Sequence, residues 1–120
     1  MIFAFEEDGT LEIYATAEDA IREYEGVDVE AGVVHFYDES GTYLEPRFSS
    51  PNLKRKLFGL VSLVQSGTYE LVAGTSTEED SFALALHEAR NLAANEWFKS
   101  FHDIKTKLSA QGVEVELRSQ

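Results

Sequence analysis

The chain has no cysteine among its 120 residues. That excludes disulfides, thiolate zinc sites, iron–sulfur clusters and cysteine nucleophiles. It also argues against a small secreted scaffold, which is usually stapled. Long apolar runs are missing too. The longest, Leu57 to Val64, is broken by Gly59 and Ser62, well short of the roughly 20 residues a membrane helix needs. Met1 to Phe5 leads straight into Glu6-Glu7-Asp8, without the basic start and apolar stretch of a signal peptide. The expected location is the cytoplasm, with no membrane partner. Bases are scarce: 10 Lys+Arg stand against 22 Asp+Glu, a net charge of −12. Such a surface repels nucleic acid and favours a basic protein partner, or simple solubility.

What is present is an ordinary globular composition, 43% hydrophobic. It suffices for a core without staples, and the length predicts a single domain over 1–120. No repeat, low-complexity tract or long linker divides the chain. The charge is unevenly placed. Residues 1–50 hold thirteen acids and two bases, a net of −11, while residues 51–120 come to −1. Folding gains nothing from crowding like charges, because self-repulsion opposes the compact state. The two readings are a solvated acidic face and a surface built to meet a basic partner.

The hydrophobic pattern predicts α+β. Ile2 to Phe5 and Leu11 to Ala15 flank the turn signal Glu7-Asp8-Gly9 and form a hairpin. Thr16 caps a helix from about Ala17 to Tyr24, with Ala17, Ala20, Ile21 and Tyr24 on one face and Gly26 as its stop. Val33 to Tyr37 and Thr42 to Phe48 form a second hairpin around Asp38-Glu39-Ser40-Gly41, and Pro46 weakens the return strand. Lys54 to Val64 suits a helix about as well as a strand; the strand reading pairs it with Thr68 to Val72 as a third hairpin. Thr77 starts a helical region that extends to about Gln111, with a kink or break within Asn91 to Asn95 and a stop at Gly112. Phe82, Leu86, Ala89 and Ala93 mark one apolar stripe, and Trp97, Phe101, Ile104 and Leu108 another. Val113 to Leu117 alternates as a last strand. The expected architecture is a twisted antiparallel sheet of hairpins packed on a C-terminal helical segment.

Chemistry-bearing motifs are few. His35 lies in a strand, facing away from Val34 and Phe36, and His87 and His102 lie on helices. Asn91 stands four residues after His87, where a zinc-protease motif requires a second histidine. Glu6-Glu7-Asp8-Gly9 matches only a fragment of a calcium loop. Gly67-Thr68 and Gly74-Thr75 lack the lysine and spacing of a phosphate loop. The expectation is a protein that is not an enzyme, with no catalytic residue, metal or cofactor. Lys54-Arg55-Lys56 is the one basic cluster, read as a solvated strand start or a partner of the acidic half. Of the tyrosines in strands, Tyr37 and Tyr43 are candidate interface anchors, since Tyr is a common hot-spot residue.

The first half carries a family likeness. The residues are Met1-Ile2-Phe3-Ala4-Phe5, the acidic turn at Gly9, the acidic helix ending Tyr24-Glu25-Gly26-Val27-Asp28-Val29-Glu30, then Val34-His35-Phe36-Tyr37-Asp38-Glu39-Ser40-Gly41 and Leu44-Glu45-Pro46. Over residues 1–52 the chain resembles small cytoplasmic immunity proteins of bacterial contact-dependent growth inhibition and other polymorphic toxin systems. The resemblance implies a tight 1:1 inhibitor of a basic toxin domain, typically a nuclease, acting by occlusion of the active site or substrate cleft. The candidate contact residues are Glu6, Glu7, Asp8, Glu12, Asp28, Glu30, Asp38, Glu39 and Glu45, with Tyr37 and Tyr43. Two other readings compete with it. One is a small hydrolase using His35 or His102 with nearby carboxylates; the other is a self-associating accessory domain.

Overall fold

The computed structural model describes residues 1–57, 61–74, 81–112 and 117, with backbone only for 54–57, 61–65 and 81. The chain is α+β. Strands β1 (Ile2–Glu6) and β2 (Thr10–Tyr14) form the expected hairpin, followed by α1 (Ala17–Glu23) and α2 (Gly26–Glu30). Strands β3 (Val34–Asp38), β4 (Tyr43–Phe48), β5 (Leu53–Leu57), β6 (Val61–Gln65) and β7 (Tyr69–Ala73) come next. Helix α3 (Ser81–Glu88), the short β8 (Asn91–Leu92) and α4 (Phe101–Ala110) complete the order. The main sheet runs β7-β4-β3-β1-β2-β8, antiparallel except for β8, which lies parallel to β2.

Alternation along β1 decides what each sheet face buries. Phe3 and Phe5 point one way, with Leu11, Ile13 and Tyr37, into a cluster closed by Phe82, Leu86, Phe98, Ile104 and Leu108 of the C-terminal half. Ile2 and Ala4 point the other way, with Val34, Phe36 and Leu44, against Ala20 of α1 and Val29 of α2. Ala4 and Ala20 are both fully buried, and their small side chains let α1 approach the sheet closely. The sheet therefore packs on the C-terminal helices as expected, and α1 and α2 cover its second face.

Helix α1 begins where the sequence predicts: the Asp19 N–H donates to Thr16 Oγ1 at 3.2 Å. Gly26, however, is not its stop. The chain turns extended at Tyr24, and Gly26 opens α2. A Cβ on Gly26 would lie 2.6 Å from Asn52 Oδ1 and 2.8 Å from the Gly67 carbonyl oxygen. Glycine is required there by the close approach of a distant loop, not by the end of a helix.

The predicted third hairpin is replaced by two other pairings. The segment 54–64 contains parts of two strands; β5 and β6 pair with each other in a separate two-stranded ribbon. Strand β7 pairs instead with β4, from Leu44↔Ala73 to Phe48↔Tyr69. The crossing from one ladder to the other is tight: a Cβ on Gly67 would sit 2.1 Å from the Ser50 carbonyl oxygen, so only glycine passes.

Pro46 acts as the sequence suggests, but on one edge of β4 only. The Asp38 N–H donates to the Thr42 carbonyl, and Phe36 pairs with Leu44. Alternation makes Val34 opposite Pro46 the next hydrogen-bonded position, and proline has no N–H to give. The β3–β4 register stops after Phe36↔Leu44, while the other edge of β4 stays paired with β7.

The helical region expected to run to Gln111 is two helices, with a break from Ala89 to Ser100 that is longer than the Asn91–Asn95 interval. The break has a tertiary cause. The Arg90 and Asn91 N–H groups both donate to the Gly9 carbonyl, at 2.8 and 3.2 Å, and the Ala93 N–H donates to the Leu11 carbonyl at 3.0 Å. These bonds pull the chain onto β2 as a strand. Ala93 and Trp97, predicted on helical stripes, lie in this connection. Thr77 as a cap and residues 113–116 as a strand fall outside the described residues; Leu117 packs against the core beside α3 and α4.

Candidate functional site

One end of the main sheet gathers three segments. The β1–β2 turn carries Glu7 and Asp8, and the Glu7 N–H donates to the Val33 carbonyl at 2.9 Å, joining it to the α2–β3 connection. The chain leaving α3 reaches the same turn through the bonds to Gly9. Together they enclose an open cleft of about 870 Å³. Its walls are Glu6, Glu7, Asp8, His35, His87, Glu88 and Arg90, over a floor of Phe5, Tyr37, Ala85 and Ala89. Four acidic residues thus line it with one arginine and two histidines, although the Glu6 carboxylate itself is taken up by the Tyr24 hydroxyl. Asp8 is partly committed to the turn, since its Oδ1 accepts the Thr10 N–H at 2.9 Å. Glu7 and Glu88 are exposed.

The remaining expected contact residues do not join this cleft. Asp38 and Glu39 sit at the opposite end of the sheet, because β3 runs antiparallel to β1 and Asp38 pairs with Ile2. The Asp38 carboxylate is occupied: its Oδ1 accepts from the Ser40 N–H at 2.9 Å, the Ser40 hydroxyl at 2.7 Å and the Thr42 N–H at 2.9 Å. Glu39 lies 3.7 Å from the terminal ammonium of Met1. Glu30 accepts from the Asn52 side-chain amide, which ties α2 to the loop after β4. Asp28 and Glu45 are exposed, on α2 and β4.

Glu12 belongs to a polar cluster on the α1 side. The Tyr14 hydroxyl donates to the Tyr24 hydroxyl at 3.3 Å, and that donates to Glu6 Oε2 at 2.7 Å. Burial, followed by the charges of Glu6 and Glu23, raises the Glu12 carboxyl above its ordinary value. Burial and the bonds to Tyr14 and Glu6 hold the Tyr24 phenol in its neutral form well beyond the usual tyrosine range. Glu6 thus lines the cleft while its carboxylate is held in this cluster.

Tyr37 is not an accessible anchor. It is 7% exposed and packs against Phe5, Phe82 and Tyr43, with ring centroids 5.5–5.7 Å apart. Both sheet faces are covered where it stands, so alternation alone does not expose it. Tyr43, half-buried against Tyr37, has its phenol raised by burial first and then by Tyr37 and Glu45.

His35 and His102 do not meet. His102 lines a separate cleft of about 520 Å³ with Arg90, Lys99 and Phe101. It is His87 that shares the acidic cleft with His35. The sequence places His87 on a helix, with no local signal that brings it to a strand 52 positions earlier. Among the described residues no group of three or more His, Asp or Glu is placed to hold a metal ion, and no helix is long and apolar enough to cross a membrane. Comparison with protein-family models, curated proteins and solved structures gave no match.

Proposed function

We propose that this chain is an immunity-type inhibitor: it binds a basic toxin domain, a nuclease, in a 1:1 complex in the bacterial cytoplasm and occludes its substrate cleft. The observation that carries the reading is uncompensated negative charge at the surface. Five of the chain's 22 acidic residues lie outside the described residues; of the other 17, only Asp19 and Glu39 have a cationic group in ion-pair contact. Glu7, Asp28, Glu45 and Glu88 are exposed, so their charge projects into solvent. A nuclease must present Lys and Arg to phosphate, and a field of opposite sign steers such a partner to its site. Occlusion asks no catalytic group of the inhibitor.

The test is affinity capture from the native host at low salt, followed by a nuclease assay on the captured protein. The expected result is a stoichiometric complex with the C-terminal domain of a large secreted protein, whose nuclease activity is lost when this chain is bound. Recovery of only weak partners that moderate salt removes would overturn the reading.

A second reading rests on the shared cleft of His35 and His87. Two imidazoles beside carboxylates are the elements of general acid–base hydrolysis. A phosphoesterase activity that His35→Ala and His87→Ala each abolish would establish it.

A further inference from the structure

Trp97, the sole tryptophan, is 40% exposed in the connection between β8 and α4. Its backbone is fixed. Asn95 Oδ1 accepts the Trp97 N–H at 2.9 Å and the Phe98 N–H at 2.7 Å, while Asn95 Nδ2 donates to the Ala93 carbonyl at 3.0 Å. The next residue, Phe98, is buried edge-on to Phe3 with ring centroids 6.2 Å apart. The Ser100 cap of α4 follows at once. An exposed tryptophan on a loop whose main chain is pinned by hydrogen bonds leaves little backbone to be ordered on binding, which is one property of a preorganised anchor.

Trp97 lines a groove of about 460 Å³ that also takes in Tyr14, Asp19, Arg22, Glu23 and Glu96. Arg22, the one cation there, is paired with Asp19. Glu23 and Glu96, both exposed, are left to set the sign of the groove that Trp97 also lines. A π face with adjacent carboxylates is the arrangement that selects a guanidinium, which stacks on the ring and pairs bidentately with the acid.

We infer that this groove is a second contact site, distinct from the acidic cleft, where an arginine side chain of the basic partner protein stacks on Trp97 and pairs with Glu23 and Glu96. The partner's identity rests on the reading proposed above; the arginine chemistry does not.

The single tryptophan is its own reporter. The probe is a short arginine-containing peptide, titrated at low salt while Trp97 fluorescence is followed, with a lysine peptide and a glutamate peptide of the same length as controls. The expected result is a saturable change with the arginine peptide, weaker with lysine and absent with glutamate. Glu23→Gln combined with Glu96→Gln should weaken the arginine response by about fivefold or more, as expected for loss of paired carboxylates beside a ring, with an unaltered melting curve. No saturable response, or one equal in the glutamate control or the double variant, would overturn the inference. So would a fluorescence change that depends on protein concentration alone and accompanies a dimer in sedimentation, because the occupant would then be a second copy of the chain. A positive titration with no toxin found would leave the arginine groove standing and remove the immunity reading.

Discussion

The β1–β2 turn holds Glu7, Asp8 and Gly9; the β3–β4 turn, at the other end of the sheet, holds Asp38, Glu39 and Gly41. Both glycines adopt positive φ, 93° and 87°, and both turns abut the α3 region, Gly9 against Arg90 and Gly41 against Phe82. The two ends use their acids differently. Asp38 spends its carboxylate on three local donors, and Glu39 sits beside the terminal ammonium. At the first turn only Asp8 is engaged, by one amide, while Glu7 faces an open cleft. Similar residues in similar turns thus become structural at one end and available at the other. What separates them is the bonding of each carboxylate, which composition does not reveal.

This contrast sets the mutational expectations. The largest effect belongs to neither turn but to the core between them. Tyr37→Ala should cost about 3–5 kcal/mol, as for other large buried aromatics, measured by denaturant unfolding. If it left stability intact and weakened only partner binding, Tyr37 would be an interface anchor after all. Next, Asp38→Ala should cost about 1–2 kcal/mol because three donors lose their charged acceptor, whereas Glu7→Ala should stay within about 0.5 kcal/mol, as for ordinary surface changes. Equal costs would erase the distinction between the two ends.

The smallest effect concerns Glu12. Its carboxyl is raised in the folded state by burial and by Glu6 and Glu23. Its contribution to stability is therefore fully present below the unfolded carboxyl pKa and is lost as pH rises through the folded value. At neutral pH the ionised group opposes folding. Glu12→Gln should raise the melting temperature there by about 1–3 °C, a few tenths of a kcal/mol, with the gain vanishing in acid. A lower melting temperature at neutral pH would show that the Glu12 charge is compensated.

Local signals in the sequence were enough for α1, its Thr16 cap, the first hairpin and the turn at Gly41, because each is encoded within a few neighbouring residues. Features set by distant contacts were not legible. Gly26 reads as a helix stop until the approach of Asn52 and Gly67 is seen. The end of α3 is dictated by a carbonyl of the β1–β2 turn, some 80 positions earlier. Strand β7 has a nearer candidate partner in β6 but pairs with β4. The candidate site divides the same way. Glu7 and Asp8 are recognisable as exposed turn acids from the chain alone. Tyr37 is not recognisable as buried, because alternation gives a side chain's face without telling what covers it. His87, Arg90 and Trp97 enter the picture only once the Ala89–Ser100 break is folded onto β2.

On the function proposed above, the acidic end steers a basic partner. The most direct test of that steering is the association rate of the captured toxin domain, measured by stopped flow over a range of salt, for the natural chain and for Glu7→Lys combined with Glu88→Lys. The expected result is a rate that falls steeply with salt for the natural chain, a drop of about tenfold or more for the double variant at low salt, and convergence of the two at high salt, where the field is screened. Equal rates at low salt would contradict it and leave the acidic cleft without a part in recognition.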